Sequence, residues 1–205
     1  VALAEALKAN TSLTTLKLRG DLHLCGFVSL AEALKANTSL TTLDLGGDLG
    51  PGDFVALAEA LKANTSLTTL KLGDLDSDGL VALAKALKAN TSLTTLNLGG
   101  DLELACIVAL AEALKANTSL ATLTLRGKLG SGGLVALAEA LKANTSLTTL
   151  VNTSLTTLDV SRCRLDDVKP LAEALANTSL TTLKLGDAYY VSSSIHKIGP
   201  QIKRS

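Results

Sequence analysis

The sequence predicts an α/β fold, a right-handed βα solenoid with about seven parallel strands on a concave face and helices on the convex face. The first reason is a seven-residue motif, Asn-Thr-Ser-Leu-Thr-Thr-Leu, that recurs at spacings of 27, 27, 26, 27, 27, 8 and 25 residues. Its copies begin at Asn10, Asn37, Asn64, Asn90, Asn117 (with Ala121 in place of one Thr), Asn144, Asn152 and Asn177. A period of this size indicates stacked supersecondary units. The second reason is composition: Leu and Ala dominate, with two Phe, two Tyr, no Trp and no Met, which suits a thin solenoid core.

Each repeat combines a strand pattern with a helix pattern. Leu43 and Leu45 alternate with polar or small residues, as on a half-buried strand. Leu57 and Leu61 lie four residues apart with Ala58 beside them, as on one face of a helix. Gly and Asp in the intervening loop supply turns and helix N-caps. Parallel strands joined by such helices have right-handed crossovers, and wider helices curve the array around its strands.

The motif Asn follows a Leu-Ala-Glu-Ala-Leu-Lys-Ala helix pattern in the regular repeats. We expect it to end the helix in the left-handed conformation, which Asn tolerates. Asn-Thr-Ser also satisfies the N-glycosylation pattern, but nothing else in the sequence indicates secretion. A structural role is therefore favoured for this residue.

Two copies of the motif, 144–150 and 152–158, lie too close together for both to be adjacent parallel strands. Four residues separate Leu150 from Leu155, whereas a parallel crossover needs about a dozen. Removing residues 144–151 restores the regular repeat, so we predict that one copy is looped out. The repeat array is assigned to residues 1–186, with an irregular duplication at 144–151. Residues 187–205 form a partial C-terminal cap or a disordered tail.

The pattern Leu-x-x-Leu-x-Leu, a small-residue loop and Leu-Ala-x-Ala-Leu resembles the ribonuclease-inhibitor-like class of leucine-rich repeats over about residues 1–186. The resemblance implies a horseshoe and, for most members, protein binding. Members include nuclease inhibitors, cytosolic immune-receptor sensor regions, ubiquitin-ligase substrate receptors and GTPase-activating proteins. The family pattern continues with an Asn that satisfies backbone groups across the turn. Only the unit with Val160, Cys163 and Leu165 keeps that spacing, with Cys in the Asn position, so no regular ladder is expected there.

Charge and hydropathy argue against nucleic-acid and membrane partners. The chain has 19 basic and 19 acidic residues, so no net field draws it to nucleic acid or anionic lipid. Its longest apolar run, 104–111, is too short to cross a bilayer. Three Cys at non-equivalent repeat positions and no visible signal peptide favour a reduced, cytoplasmic protein. Because Val1 falls inside a helix pattern, we interpret the chain as a fragment whose uncapped N-terminal edge can self-associate.

Residues suited to catalysis are few. His23 and His196 lie at opposite ends of the array, and Cys25 near His23 has no evident third group to orient it. The glycine-rich loop 127–133 fits neither standard nucleotide-binding signature. We therefore predict no enzymatic activity and no cofactor.

One loop resembles the start of a calcium-binding loop. Asp74, Asp76 and Asp78 match Asp-x-Asp-x-Asp-Gly, but Lys85 occupies the position of the bidentate Glu. The three carboxylates are a weak calcium candidate. The alternative is a solvated turn in which Asp78 caps the following helix.

The concave face is the predicted binding surface. Its outward strand positions are Lys17, Arg19, Asp44, Lys71, Asn97, Thr124, Arg126, Asp159 and Lys184. A column of threonines runs beside them: Thr15, Thr42, Thr69, Thr95, Thr122, Thr149, Thr157 and Thr182. The leading hypothesis is a scaffold that binds a protein partner. The alternatives are a GTPase-regulating or ubiquitin-ligase substrate-receptor region, implied by the family, and a Thr-column surface that binds ordered water.

Overall fold

Helices and strands alternate along the chain in a computed structural model, which describes residues 2–19, 27–46, 49–100, 102–126, 131–152 and 182–185. The helices in these ranges are α1 Ala2–Ala9, α2 Phe27–Ala36, α3 Pro51–Ala63, α4 Ser77–Leu87, α5 Leu104–Ala116 and α6 Ser131–Ala143. The strands are β1 Thr15–Leu18, β2 Thr42–Leu45, β3 Thr69–Asp74, β4 Thr95–Gly99, β5 Thr122–Arg126, β6 Thr149–Asn152 and β7 Thr182–Leu185.

The strands form one parallel sheet in the order β1-β2-β3-β4-β5-β6-β7, which confirms the predicted solenoid. Equivalent repeat positions pair with one another, as Leu16 does with Leu43 and Leu43 with Leu70. The core lies between the sheet and the helix layer. Leu43, Leu57 and Leu61 are buried in it, as their spacing predicts.

The motif Asn leaves the helix in an extended conformation, so the expected left-handed cap is wrong. Asn64 has φ −75° and ψ 131°, and Asn117 has φ −78° and ψ 131°. Its side chain makes the turn instead: the Oδ1 atom of Asn64 accepts hydrogen bonds from the backbone N–H groups of Ser66 at 3.0 Å and Leu67 at 2.7 Å. An extended backbone brings these two groups within reach of the carboxamide, whereas a left-handed residue would direct the chain elsewhere.

The other end of the same carboxamide joins neighbouring repeats. The Nδ2 atom of Asn64 donates to the carbonyl oxygens of Leu34 at 2.6 Å and Asn37 at 3.2 Å, both in the preceding repeat. The equivalent pair of bonds is made by Asn37, Asn90, Asn117 and Asn144. We call these five buried residues the Asn ladder. A ladder therefore exists, but at the joint from helix to strand rather than at the turn after the strand.

Threonine hydroxyls add a second connection just before β2, β3, β4 and β6. Thr41 donates through Oγ1 to the carbonyl oxygen of Thr14 at 3.1 Å. Thr68, Thr94 and Thr148 make the equivalent bond to the preceding repeat at 3.1–3.2 Å. Ala121 occupies this position in β5's repeat and has no hydroxyl to donate.

At the duplicated motif, the first copy enters the sheet. Residues 144–150 supply Asn144 to the Asn ladder and Thr149 to β6, which pairs directly with β7. Residues 153–158 of the second copy lie outside the described residues, as do 187–205. That one copy is looped out, and the assignment of the terminal segment, stay predictions.

Candidate protein-binding surface

Outward side chains of the sheet form two rows, which together we call the strand face. The first row is Lys17, Asp44, Lys71, Asn97 and Thr124, and the backbone positions of Val151 and Lys184 continue its register on β6 and β7. The second row is Arg19, Gly46, Gly73, Gly99 and Arg126, with a register shift in β3 that makes Asp74, not Gly73, the residue paired with Gly99. Strand pairing thus brings the predicted residues together, except Asp159, which lies outside the described residues. Sequence reasoning missed Val151, although it follows Leu150 as Lys17 follows Leu16.

The predicted threonine column is aligned along the sheet. Its members pair directly from strand to strand at Thr15, Thr42, Thr69, Thr95, Thr122, Thr149 and Thr182. Thr157 lies outside the described residues. The column borders the first row of the strand face, so a partner that covers that row also reaches these side chains.

The strand face is strongly positive although the whole chain is neutral. Among the residues whose side chains the structure describes, its two rows carry four cations and one carboxylate, that of Asp44. Asp44 stands in register between Lys17 and Lys71 and lies 3.6 Å from Arg19, oxygen to nitrogen. The carboxylate is largely shielded, with 14% of the side chain exposed, whereas the Arg19 side chain is 71% exposed. The surface therefore presents cationic groups around a partly shielded acid.

Glycines, which have no side chain, occupy the middle of the second row. A Cβ atom on Gly99 would lie 3.1 Å from the carbonyl oxygen of Gly73, and one on Gly46 would lie 3.0 Å from Nη1 of Arg19. The Arg19 side chain and the neighbouring backbone therefore already fill the space beside these two glycines, which explains why larger residues are not accommodated there.

One of the three residues of the calcium candidate, Asp76, caps a helix. Asp76, not Asp78, is the N-cap of α4, because its Oδ1 atom accepts the Gly79 N–H at 2.7 Å. The expectation that Asp78 caps the helix is therefore wrong: Asp78 lies two residues later, inside the first turn. Across the described residues, no group of three or more His, Cys, Asp or Glu side chains is placed to hold a metal ion.

The cysteines and histidines considered for catalysis do not form a site within the described residues. The Cys106 side chain is buried on α5, and its sulfur lies 3.5 Å from the carbonyl oxygen of Ser77. His23, Cys25, Cys163 and His196 lie outside the described residues. None of the described helices has both the length and the apolar character needed to cross a membrane.

Comparison with known proteins identifies the repeat. A family model described as a leucine-rich repeat matches residues 151–168, which include the one unit that keeps the family spacing through Val160 and Cys163. No curated protein matches the chain.

The solved structures that the chain resembles include two at low sequence identity. The C-terminal domain of tropomodulin, from a structural-genomics study of Caenorhabditis elegans, is 16% identical, with a TM-score of 0.51 over 86% of this chain and 90% of that one. Leiomodin-1 actin-binding site 2 is 20% identical, with a TM-score of 0.45 over 85% of this chain and 88% of that one.

Proposed function

We propose that this chain, a leucine-rich repeat protein, is a non-enzymatic scaffold that binds a protein partner through its strand face. The observation that carries the proposal is the segregation of charge. Four cations and one carboxylate with described side chains lie on two adjacent rows of a neutral chain, over the five strands β1 to β5, whose pairing fixes their spacing. Such a field favours partners that present acidic side chains.

The chemistry of the strand face also sets an expectation for affinity. Tight protein interfaces are usually anchored by Trp, Tyr and Arg in desolvated pockets. Here the anchors are Arg19 and Arg126, and the residues between them are glycines. We therefore expect an interaction that is specific through charge, sensitive to salt and moderate in strength.

A charge-matched pair of variants tests the proposal. The strand-face variant carries Lys17→Ser, Arg19→Ser and Arg126→Ser, and the control carries Lys8→Ser, Lys35→Ser and Lys142→Ser on the helix layer. Both remove three cations, so nonspecific charge effects are equal. We expect a partner, captured and then purified, to bind the control like the unmodified chain and the strand-face variant at least tenfold more weakly. Equal binding to all three proteins would contradict the proposal.

Finer features of the function are part of the same proposal. The 26- and 27-residue repeats with a full helix support the ribonuclease-inhibitor-like class. A cytoplasmic protein in which this array is one part of a longer chain fits the protein-binding role. The GTPase-regulating and ubiquitin-ligase alternatives are forms of that role and would differ in the partner identified.

A further inference from the structure

Outer surfaces of the helix layer carry a regular pairing of opposite charges. On five helices a Glu accepts a hydrogen bond from the Lys three residues later, at 2.6–3.0 Å. The pairs are Glu5–Lys8, Glu32–Lys35, Glu59–Lys62, Glu112–Lys115 and Glu139–Lys142. These helices therefore present no net charge along this line.

Two of these Glu residues, Glu59 and Glu112, are also near the Lys of the preceding helix. The hydrogen bond from Lys62 is the main cause that lowers the pKa of Glu59, and the charges of Lys62 and, across the helix boundary, Lys35 add to it. The pKa of Glu112 is lowered in the same way by Lys115 and by Lys88 of the preceding helix. Acids and bases thus alternate from helix to helix as well as along each helix.

Helix α4 breaks this alternation. Lys85 stands where the other five helices have Glu, and Lys88 stands at the usual Lys position. By the repeat geometry that brings Lys35 near Glu59, Lys62 of α3 faces Lys85. The substitution of a base for an acid shifts the local charge by two units. Lys62, Lys85 and Lys88 form an exposed cluster, which we call the lysine cluster, with Glu59 and Glu112 at its sides.

An apolar row runs beside the lysine cluster, one helical turn toward the helix N-termini. Each of the helices α2 to α6 contributes a valine at the equivalent position: Val28, Val55, Val81, Val108 and Val135. Val55 is 50% exposed and Val108 42% exposed, while Val81 between them is partly buried. Exposed Leu104 extends the row on α5. Around α4, apolar and cationic groups therefore lie side by side on the solvent side of the helix layer.

We propose that the lysine cluster, together with Val55, Val81 and Val108, is a second docking site, and that it binds an acidic amphipathic helix of a protein partner. Charge complementarity selects the occupant, because only at α4 among the described helices does the valine row adjoin unbalanced cations. This site is separate from the strand face, since it lies on the opposite layer of the array.

Helix geometry specifies the occupant further. Packed helices lie about 8–10 Å apart, and an α-helix rises about 1.5 Å per residue. A helix that crosses α3, α4 and α5 therefore meets the three valines about five to seven residues apart. The occupant should carry apolar residues at positions i, i+7 and i+14, with Asp or Glu beside the central one.

Protein is favoured over an anionic membrane as the partner class. A curved helix layer touches a flat bilayer over a narrow strip, and the carboxylates of Glu59 and Glu112 would face the lipid headgroups. Three lysines give weak membrane attraction, since each adds about 1 kcal/mol near an anionic surface. A helix can instead place its acids over the lysine cluster alone.

The test uses a designed 21-residue helical peptide with Leu at positions 4, 11 and 18 and Glu beside position 11. A comparison peptide has Gln in place of each Glu. Titration into the ¹⁵N-labelled full chain should shift amide signals of α3, α4 and α5, with weaker binding as salt rises. Lys85→Glu, which restores the pattern of the other helices, should weaken binding about tenfold, because attraction becomes repulsion at the centre of the site.

Equivalent positions in other repeats supply matched control variants. Glu112→Lys creates an equivalent cluster beside Val108 and should add binding on α5, whereas Glu139→Gln should change nothing. The strand-face variant should bind the peptide like the unmodified chain, so failure here is distinct from failure of the proposed function. Equal binding to Lys85→Glu, or equal binding of the Gln peptide, would overturn the proposal. Lys85-dependent binding to phosphatidylserine vesicles without peptide binding would overturn it in favour of a membrane.

Discussion

Asparagine is the residue on which contact between neighbouring repeats depends. One carboxamide closes the turn within its own repeat and donates two hydrogen bonds into the preceding one, and in the described residues every such buried polar atom is satisfied. Leucine burial holds the layers together without specifying a register, since all the leucines are alike. The Asn ladder adds direction and spacing to that contact.

Loss of a central ladder residue should be costly. For Asn90→Ala we expect the free energy of unfolding to fall by about 2–4 kcal/mol, because the carbonyl of Leu61 and the N–H of Leu93 lose their partner in a buried site. Urea denaturation followed by circular dichroism measures it. The control is Asn10→Ala, where the side chain is exposed and its amide has no preceding repeat in the described residues; about 1 kcal/mol is expected. Equal losses would contradict a ladder role.

The sequence predicted where these residues lie but not what they do. A helix that ends at Asn is compatible with a left-handed backbone and with a side-chain turn, and periodicity does not distinguish them. The useful signal was the Ser two residues later, whose N–H and hydroxyl both meet the carboxamide of Asn64. The N-cap of α4 was placed two residues late for a similar reason, since Asp76 and Asp78 are equally suited to capping.

At the scale of the element, β2, β3, β4 and β6 each follow a threonine whose hydroxyl donates a hydrogen bond to the preceding repeat. β5 follows Ala121, which has no hydroxyl. The carbonyl oxygen of Thr94 receives two backbone N–H groups from Ala121 and Thr122 but no hydroxyl, unlike its equivalents Thr14, Thr41 and Ala121. β5 is therefore joined to β4 by one hydrogen bond fewer at this point.

Restoring the hydroxyl should stabilise the chain. Ala121→Thr is expected to raise the free energy of unfolding by about 0.5–1 kcal/mol, the usual net value of one hydrogen bond. Ala121→Val, which has the same branched shape without the donor, separates the hydrogen bond from strand propensity. Thermal and urea unfolding of the two variants measures the difference. If valine stabilised as much as threonine, the hydroxyl would have no part in the effect.

Alternation and helical spacing predicted most of the elements because both are local properties of each repeat. Local patterns could not predict which copy of the duplicated motif enters the sheet. Both copies carry the same strand pattern, so only the long-range pairing of Thr149 with Thr122 and Thr182 selects the first. The strand face was predicted for the same local reason, except for Val151, whose place depends on that selection.

At the scale of the whole molecule, the first repeat has an outer side that no described residue covers. Leu3 is 48% exposed and Leu13 is 38% exposed, whereas the equivalent Leu30 and Leu40 are 5% and 0% exposed. The backbone of β1 is also free to pair on that side. Apolar surface beside an open strand edge is a favourable site for association.

We expect the 205-residue polypeptide to self-associate through this edge. Sedimentation velocity should show a dimer that grows with concentration. Leu13→Lys should restore a monomer, because it places a charge on the apolar contact, and Val28→Lys on the helix layer serves as the control. A monomer at all concentrations would refute this prediction.

The 26-residue repeat shows where the array accepts changes in length. Its Asn90 still donates to Leu61 at 2.7 Å and Asn64 at 3.3 Å, so the joint is unchanged. The shorter length is absorbed at the C-terminal end of β3, where the register shifts between Leu72 and Asp74. Foreign loops grafted at this margin would project beside the strand face while the pitch of the scaffold stayed constant. The end of the strand therefore tolerates changes in loop length, whereas the joint from helix to strand, where the Asn ladder lies, fixes the spacing of the repeats.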